Sequence, residues 1–175
     1  MAIKTIFLDR DGVINKEVNY LHKINDFQFI DGIFDACYNF QLKGYKIIII
    51  TNQSGISRGI YSENDFQLLT EWMFKEFNKR NIEILDIFHC PHNPSSKCEC
   101  RKPMPGLFYQ ANNQYGIDMK KSWMIGDKES DIKAAIRSGI KHTILVRSGH
   151  KIDELNSKAT FIIDSIKESI KIIEV

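Results

Sequence analysis

The 175-residue sequence contains no apolar run long enough to cross a bilayer. Its longest aliphatic stretch, KIIIIT at 46–51, has the length of a strand. The opening residues, MAIKTIFLDR, lack the apolar core of an export signal. No block of five or more Lys/Arg occurs, and 24 basic against 22 acidic residues leave a formal charge of +2. That balance argues against a protein held mainly to nucleic-acid phosphates. Cysteine is scarce: Cys90, Cys98 and Cys100 crowd into one loop and Cys37 stands alone, which argues against a disulfide framework. Internal repeats, low-complexity tracts and interdomain linkers are absent too. The expectation is one soluble, cytoplasmic domain spanning 1–175, monomeric by default, with no membrane or nucleic-acid partner.

What is there is an alternation. Short apolar runs at 5–8, 45–50, 84–89, 122–125, 143–146 and 160–163 read as strands, and none shows the polar alternation of a half-exposed sheet. Helical patterns fall between them. One spans 31–43 and stops at Gly44; one starts at a Ser62 cap and repeats Phe66, Leu69, Met73 and Phe77. A third starts at Pro105 and ends at Gly116, a fourth runs through ESDIKAAIRSG, and SIKESIKIIEV closes the chain. Strand–helix alternation predicts the α/β class: a Rossmann-like, doubly wound parallel sheet with helices on both faces. In such sheets the site lies beyond the carboxyl ends of the strands.

Chemistry-bearing residues sit at those ends. LDRDG follows the first strand and places Asp9 and Asp11 two apart; TNQSG follows the second and begins with Thr51. Arg101 and Lys102 come after the third, and GDKESD, with Asp127, Lys128 and Asp131, after the fourth. Carboxylates, a hydroxyl and cations converging on one point suit phosphoryl transfer. Carboxylates hold Mg2+, while a hydroxyl and a lysine steady phosphoryl oxygens as charge redistributes. One carboxylate can attack phosphorus and another can carry a proton. Any one of these fragments alone reads as a solvated turn or a capped helix start; their joint order favours function.

The loop 90–100 has the pattern C-x-H-x5-C-x-C. Cys90, His92, Cys98 and Cys100 supply three thiolates and an imidazole, a full tetrahedral shell of the structural-zinc kind with no vacant position. Zinc is therefore read as a clamp that places Arg101 and Lys102, with the reaction belonging to magnesium.

FLDRDGVIN, TNQSGISRG, RKPMPG and MIGDKESD together resemble the four motifs of the haloacid dehalogenase superfamily of phosphohydrolases, over about 4–146. FLDRDG with CPH…CxCRKP is similar to the branch that holds heptose-bisphosphate phosphatases and the histidinol-phosphatase domain. The resemblance implies a phosphoric monoester hydrolase acting through an aspartyl-phosphate on Asp9. Asp11 would be the proton carrier, and Thr51 and Lys102 would hold the phosphoryl group. Mg2+ would sit on Asp9, the Asp11 carbonyl and Asp127, with Asp131 outside that shell. Substrate contacts would come from Glu17, Val18, Asn19, Tyr20, Asn52, Gln53, Ser54, Arg101 and Lys128. The implied substrate is a small sugar bisphosphate, heptose 1,7-bisphosphate first, dephosphorylated at position 7 for lipopolysaccharide or other surface-glycan precursors.

This chain reads EVNY at 17–20 where such relatives often carry Asp-His-Gly-Tyr, which leaves the anomer open. The interval between Asp11 and Thr51, largely one helix, leaves no room for a separate cap domain. Histidinol phosphate is the alternative substrate, less suited to Arg101. A phospho-receiver domain is the alternative of another class, although receivers place the accepting aspartate after a middle strand. His22, His142 and His150 read as surface or loop residues, His89 as packing at a strand end, and Cys37, Trp72 and Trp123 as core or its boundary.

Overall fold

The computed structural model describes residues 2–174. Six strands form one sheet: β1 Thr5–Leu8, β2 Lys46–Asn52, β3 Asp86–Cys90, β4 Trp123–Gly126, β5 His142–Val146 and β6 Phe161–Ile163. All pairings are parallel, in the order β3-β2-β1-β4-β5-β6. Helices α1 Ile33–Leu42, α2 Glu63–Asn78, α3 Gly106–Tyr115, α4 Glu129–Ser138 and α5 Ile166–Ile172 cover both faces. The doubly wound expectation holds, and no additional folded unit intervenes between Asp11 and Thr51 among the described residues. Val175, the end of the closing helical pattern, lies outside the described residues.

The strand period of two sorts the apolar residues onto two cores. Ile6, Leu8, Ile47, Ile49 and Ile125 face one side and pack with Ala36, Cys37 and Phe40 of α1, Leu69 and Met73 of α2 and Ile166 of α5. Phe7, Ile48, Ile50 and Met124 face the other and meet Leu107 and Phe108 of α3 and Ala134 and Ala135 of α4. Being buried on both faces is why these runs read as continuous apolar segments. Ser62 caps α2 as expected, accepting from the Asp65 N–H while the Asp65 carboxylate accepts from the Ser62 N–H.

The strand ends depart from the sequence reading in a way that bears on the site. β2 continues through Thr51 and Asn52, which pair with His89 and Cys90 of β3. The polar residues TN thus belong to the sheet because the parallel ladder extends past the apolar run. Thr51 and Cys90 are held by backbone pairing rather than carried on loose loops. Sheet order reverses between β1 and β4, whose following segments diverge and leave a crevice above their carboxyl ends. Asp9 follows β1 directly and Asp127 follows β4 directly. No described helix is long and apolar enough to cross a membrane.

Candidate active site and metal centres

Three carboxylates meet over the β1–β4 crevice. Asp9, Asp127 and Asp131 each offer an oxygen within 4.8 Å of the others, and all three are buried. One ammonium stands among them: Lys102 Nζ lies 2.9 Å from Asp9 Oδ1, 2.7 Å from Asp131 Oδ1 and 2.7 Å from the Ile50 carbonyl. All three of its donors are therefore used. Burial works against the charge on Lys102, but Asp131 and Asp9 outweigh it and push its pKa up. For Asp9, burial raises the pKa well above the ordinary carboxylate value; Lys102 opposes the shift without cancelling it, and Asp131 and Asp127 add to it.

The charges do not balance. Asp127 Oδ2 accepts from the His150 backbone N–H at 2.9 Å and its ring Nδ1 at 2.6 Å, but buried Asp127 Oδ1 has no partner. An orphaned carboxylate oxygen beside two further carboxylates fits a hard divalent cation that takes oxygen ligands. Space around Asp127 is kept by glycine. A Cβ on Gly149 would lie 2.1 Å from Asp127 Oδ2, and one on Gly12, at φ +88, 2.3 Å from it.

Asp11 sits at the cleft side of this cluster. Its Oδ1 receives Arg10 Nη2 at 3.0 Å and Asn15 Nδ2 at 3.0 Å; its Oδ2 receives Gln53 Nε2 at 3.0 Å. The same Gln53 amide donates to Thr51 Oγ1 at 2.9 Å, and its Oε1 accepts from the Tyr61 hydroxyl. Burial pushes Tyr61 up to about 12, so the hydroxyl stays a donor at neutral pH. Gln53, anticipated as a substrate contact, is thus 3% exposed and committed to Asp11 and Thr51. Asn52 is similarly committed: its side chain accepts from the Lys102 N–H at 3.0 Å and donates to the Lys102 carbonyl at 3.2 Å. Both amides position other groups in this structure, although both reach the cleft wall.

A cleft of about 410 Å3 opens over these groups. Glu17, Val18, Asn19, Tyr20, Ser54, Arg101 and Lys128 line it, so every anticipated substrate residue is brought to one place. Burial raises the Glu17 pKa, with nearby Asp11 adding and His150 and Lys128 opposing.

Four residues at the site were missed in the sequence, and Asn15, fully buried and donating to Asp11, is one of them. Arg10, between the two aspartates of LDRDG, is 2% exposed and binds Asp11 and the Leu21 carbonyl. Tyr61 precedes the α2 cap and gave no signal. His150, read as a surface or loop residue, lies in the loop after β5 and lines the cleft against Asp127. The signal for it is the fifth strand end, RSGH, which carries a polar residue beyond an apolar run as the first four do.

Cys90, His92, Cys98 and Cys100 also converge, their ligand atoms within 4.8 Å of one another. Sulfur–sulfur separations are 2.9 Å for Cys90–Cys100 and 3.7 Å for Cys90–Cys98, and His92 Nδ1 is 3.1 Å from Cys100 Sγ. Burial opposes ionisation of Cys98, yet the Arg101 N–H and the neighbouring ligands bring its pKa down to about 7. A soft, closed donor set of this kind fits zinc. His89 stays apart, 2.6 Å from Glu63 and tilted on Phe66.

Residues 99–169 match the HAD-hydrolase-like family model. The D-glycero-alpha-D-manno-heptose-1,7-bisphosphate 7-phosphatase of Photorhabdus laumondii is 51% identical over 164 residues, 90% of each chain. The beta-named counterpart of Yersinia pestis is 41% identical over 181 residues, 99% of this chain and 96% of its own. A crystal structure of the D,D-heptose 1.7-bisphosphate phosphatase from B. bronchiseptica, complexed with magnesium and phosphate, superposes with a TM-score of 0.86 at 26% identity, covering 98% of both chains. Fold and site together define a phosphoric monoester hydrolase of the haloacid dehalogenase type. Within that class, the chain belongs to the family of the D-glycero-D-manno-heptose-1,7-bisphosphate 7-phosphatases.

Proposed function

We propose that this chain hydrolyses the 7-phosphate of D-glycero-D-manno-heptose 1,7-bisphosphate, with the α anomer preferred. The observation that carries the reaction is the buried Asp9–Asp127–Asp131 cluster, one ammonium against three carboxylates, opening on a polar cleft. Asp9, the Asp11 carbonyl and Asp127 would hold Mg2+, which when bound offsets the repulsion between an anionic nucleophile and a phosphate dianion. The Arg10 N–H and Lys102 hold Asp9 Oδ1 and so fix the rotation of its carboxylate.

Asp9 attacks phosphorus, the bond to sugar O7 breaks, and Asp11 gives that oxygen its proton. Asp11 then takes a proton from water, whose oxygen attacks phosphorus; the Asp9–phosphorus bond breaks and inorganic phosphate leaves. Thr51 and Lys102 would bind the transferring oxygens. Arg101, beside the zinc loop, and Lys128 would meet the second phosphate, which suits a bisphosphate better than a cationic amine. Identity to alpha-named relatives, 51% and 48%, against 39–45% for beta-named ones, favours the α anomer. Zinc on the Cys/His loop would be structural, and the chain is read as a cytoplasmic monomer serving surface-glycan precursor synthesis.

Phosphate release from both anomers and from histidinol phosphate tests the reading. The α-bisphosphate should give the highest kcat/KM, and Asp9→Asn should abolish turnover. Equal or better hydrolysis of histidinol phosphate would overturn the substrate assignment, and undiminished turnover by Asp9→Asn the mechanism.

A further inference from the structure

His150 stands between the two halves of the site. Its backbone N–H and ring Nδ1 both donate to Asp127 Oδ2, at 2.9 and 2.6 Å. A carboxylate oxygen only accepts, so Nδ1 carries the proton, and Oδ2 is saturated while Oδ1 stays without a partner. The loop bearing His150 is anchored: Ser148 Oγ donates to the Gly12 carbonyl at 2.8 Å, and Gly149 lets the backbone close on Asp127. On the far side of the ring, Nε2 lies 3.8 Å from Glu17 Oε1. That separation is too long for a direct hydrogen bond and leaves two acceptors side by side on the cleft wall, each able to receive a sugar hydroxyl. His150 and Glu17 side chains are 35% and 33% exposed, both on the cleft wall.

We propose that His150 is a positioning residue for the metal carboxylate and a contact residue for substrate. Nδ1 holds Asp127 so that Oδ1 alone is presented to the cation, and Nε2 accepts from one sugar hydroxyl beside a second that Glu17 accepts. The inference rests on the magnesium reading of the carboxylate cluster and adds to it a residue that couples metal binding to sugar recognition. Partners that orient metal ligands typically change affinity by about 10- to 100-fold when removed.

Asparagine and alanine separate the two roles. The asparagine side-chain amide can reproduce the Nδ1 donor but cannot reach the Nε2 position. Mn2+ binding, read by electron paramagnetic resonance without substrate, should weaken about tenfold in His150→Ala and recover to near the wild-type value in His150→Asn. KM for the bisphosphate should rise severalfold in both. Wild-type Mn2+ affinity in His150→Ala would overturn the positioning role, and an unchanged KM in folded His150→Asn would overturn the substrate contact. Asp127→Asn is the control. If it binds Mn2+ like the wild type, the metal site itself is misassigned; if it loses binding while His150→Ala does not, only the present inference fails.

Discussion

Among the described residues Lys102 is the one cation inside a buried three-carboxylate cluster, and replacing it with methionine gives a sharp prediction. The side chains of Lys102, Asp9 and Asp131 are 2%, 10% and 1% exposed, so solvent screens these pairs little. Methionine keeps most of the volume but removes the charge and all three donors. Removing one partner of a buried ion pair costs about 3–5 kcal/mol, because the other charge is left uncompensated. For a domain of this size that corresponds to a fall in Tm of roughly 6–20 °C without metal.

The sign of the pH dependence follows from Asp9. Its folded pKa is already raised above 3.8, chiefly by burial, so the folded state binds more protons than the unfolded one. That contribution to stability is complete below the unfolded value and is lost as pH rises through the folded value. Lys102 opposes the shift, so Lys102→Met should raise the Asp9 pKa further and make the metal-free protein fall off more steeply toward neutral pH. Mg2+ should then stabilise the variant more than the wild type, since the cation replaces the missing charge, while kcat stays low because no ammonium holds the phosphoryl group. Thermal denaturation across pH, with and without Mg2+, together with phosphate release, measures all of this. A variant as stable as the wild type without metal, or one that regains full kcat with Mg2+, would refute the reasoning.

Stripping zinc should lower kcat/KM, because Cys90 and Pro91 carbonyls accept from the Gln53 and Ser57 N–H groups and Arg101 bonds the His92 carbonyl; full turnover by folded, zinc-free protein with Mg2+ would count against the clamp. Gly12→Ala should reduce activity and destabilise the fold by about 1–2 kcal/mol through its left-handed backbone, with a further loss as the new Cβ displaces Asp127; a wild-type-like denaturation midpoint would contradict this. Tyr61→Phe frees Gln53 Oε1 and lets the amide turn its oxygen toward Asp11, so kcat should drop about fivefold, one hydrogen bond of about 1 kcal/mol, at unchanged KM. An unchanged kcat in steady-state assays would show that Gln53 needs no such lock.

The sheet was legible because its four central strands are buried on both faces, and four strand ends were legible because each carries a charged or hydroxyl residue beyond an apolar run. Where β2 ends was not, since Thr51 and Asn52 are polar yet continue the ladder against His89 and Cys90. The directions of Gln53 and Asn52 were equally hidden: local sequence does not distinguish an amide aimed at substrate from one spent on Asp11 or on the Lys102 backbone. Arg10 escaped because its burial depends on Asp11 and Leu21 accepting from it, and His150 because it lies beyond a strand end with no acidic or Gly-rich pattern.

These hidden residues share one property: each spends its polar atoms on a residue that does chemistry. Arg10 and Gln53 fix Asp11, Asn52 fixes Lys102, and His150 fixes Asp127. Apart from Arg10 to its neighbour Asp11, such contacts cross between strand ends far apart in sequence, Gln53 to Asp11 over 42 positions and Lys102 to Asn52 over 50. The reacting groups can be read one strand end at a time, because each motif follows its own strand. Their orientation cannot, because it exists only once β1, β2, β3, β4 and β5 have been brought into register. A change in substrate preference within this scaffold is therefore more economically made at Glu17–Tyr20 and Arg101, which line the cleft outside that web, than at Asn52 or Gln53, where any substitution also disturbs the catalytic set.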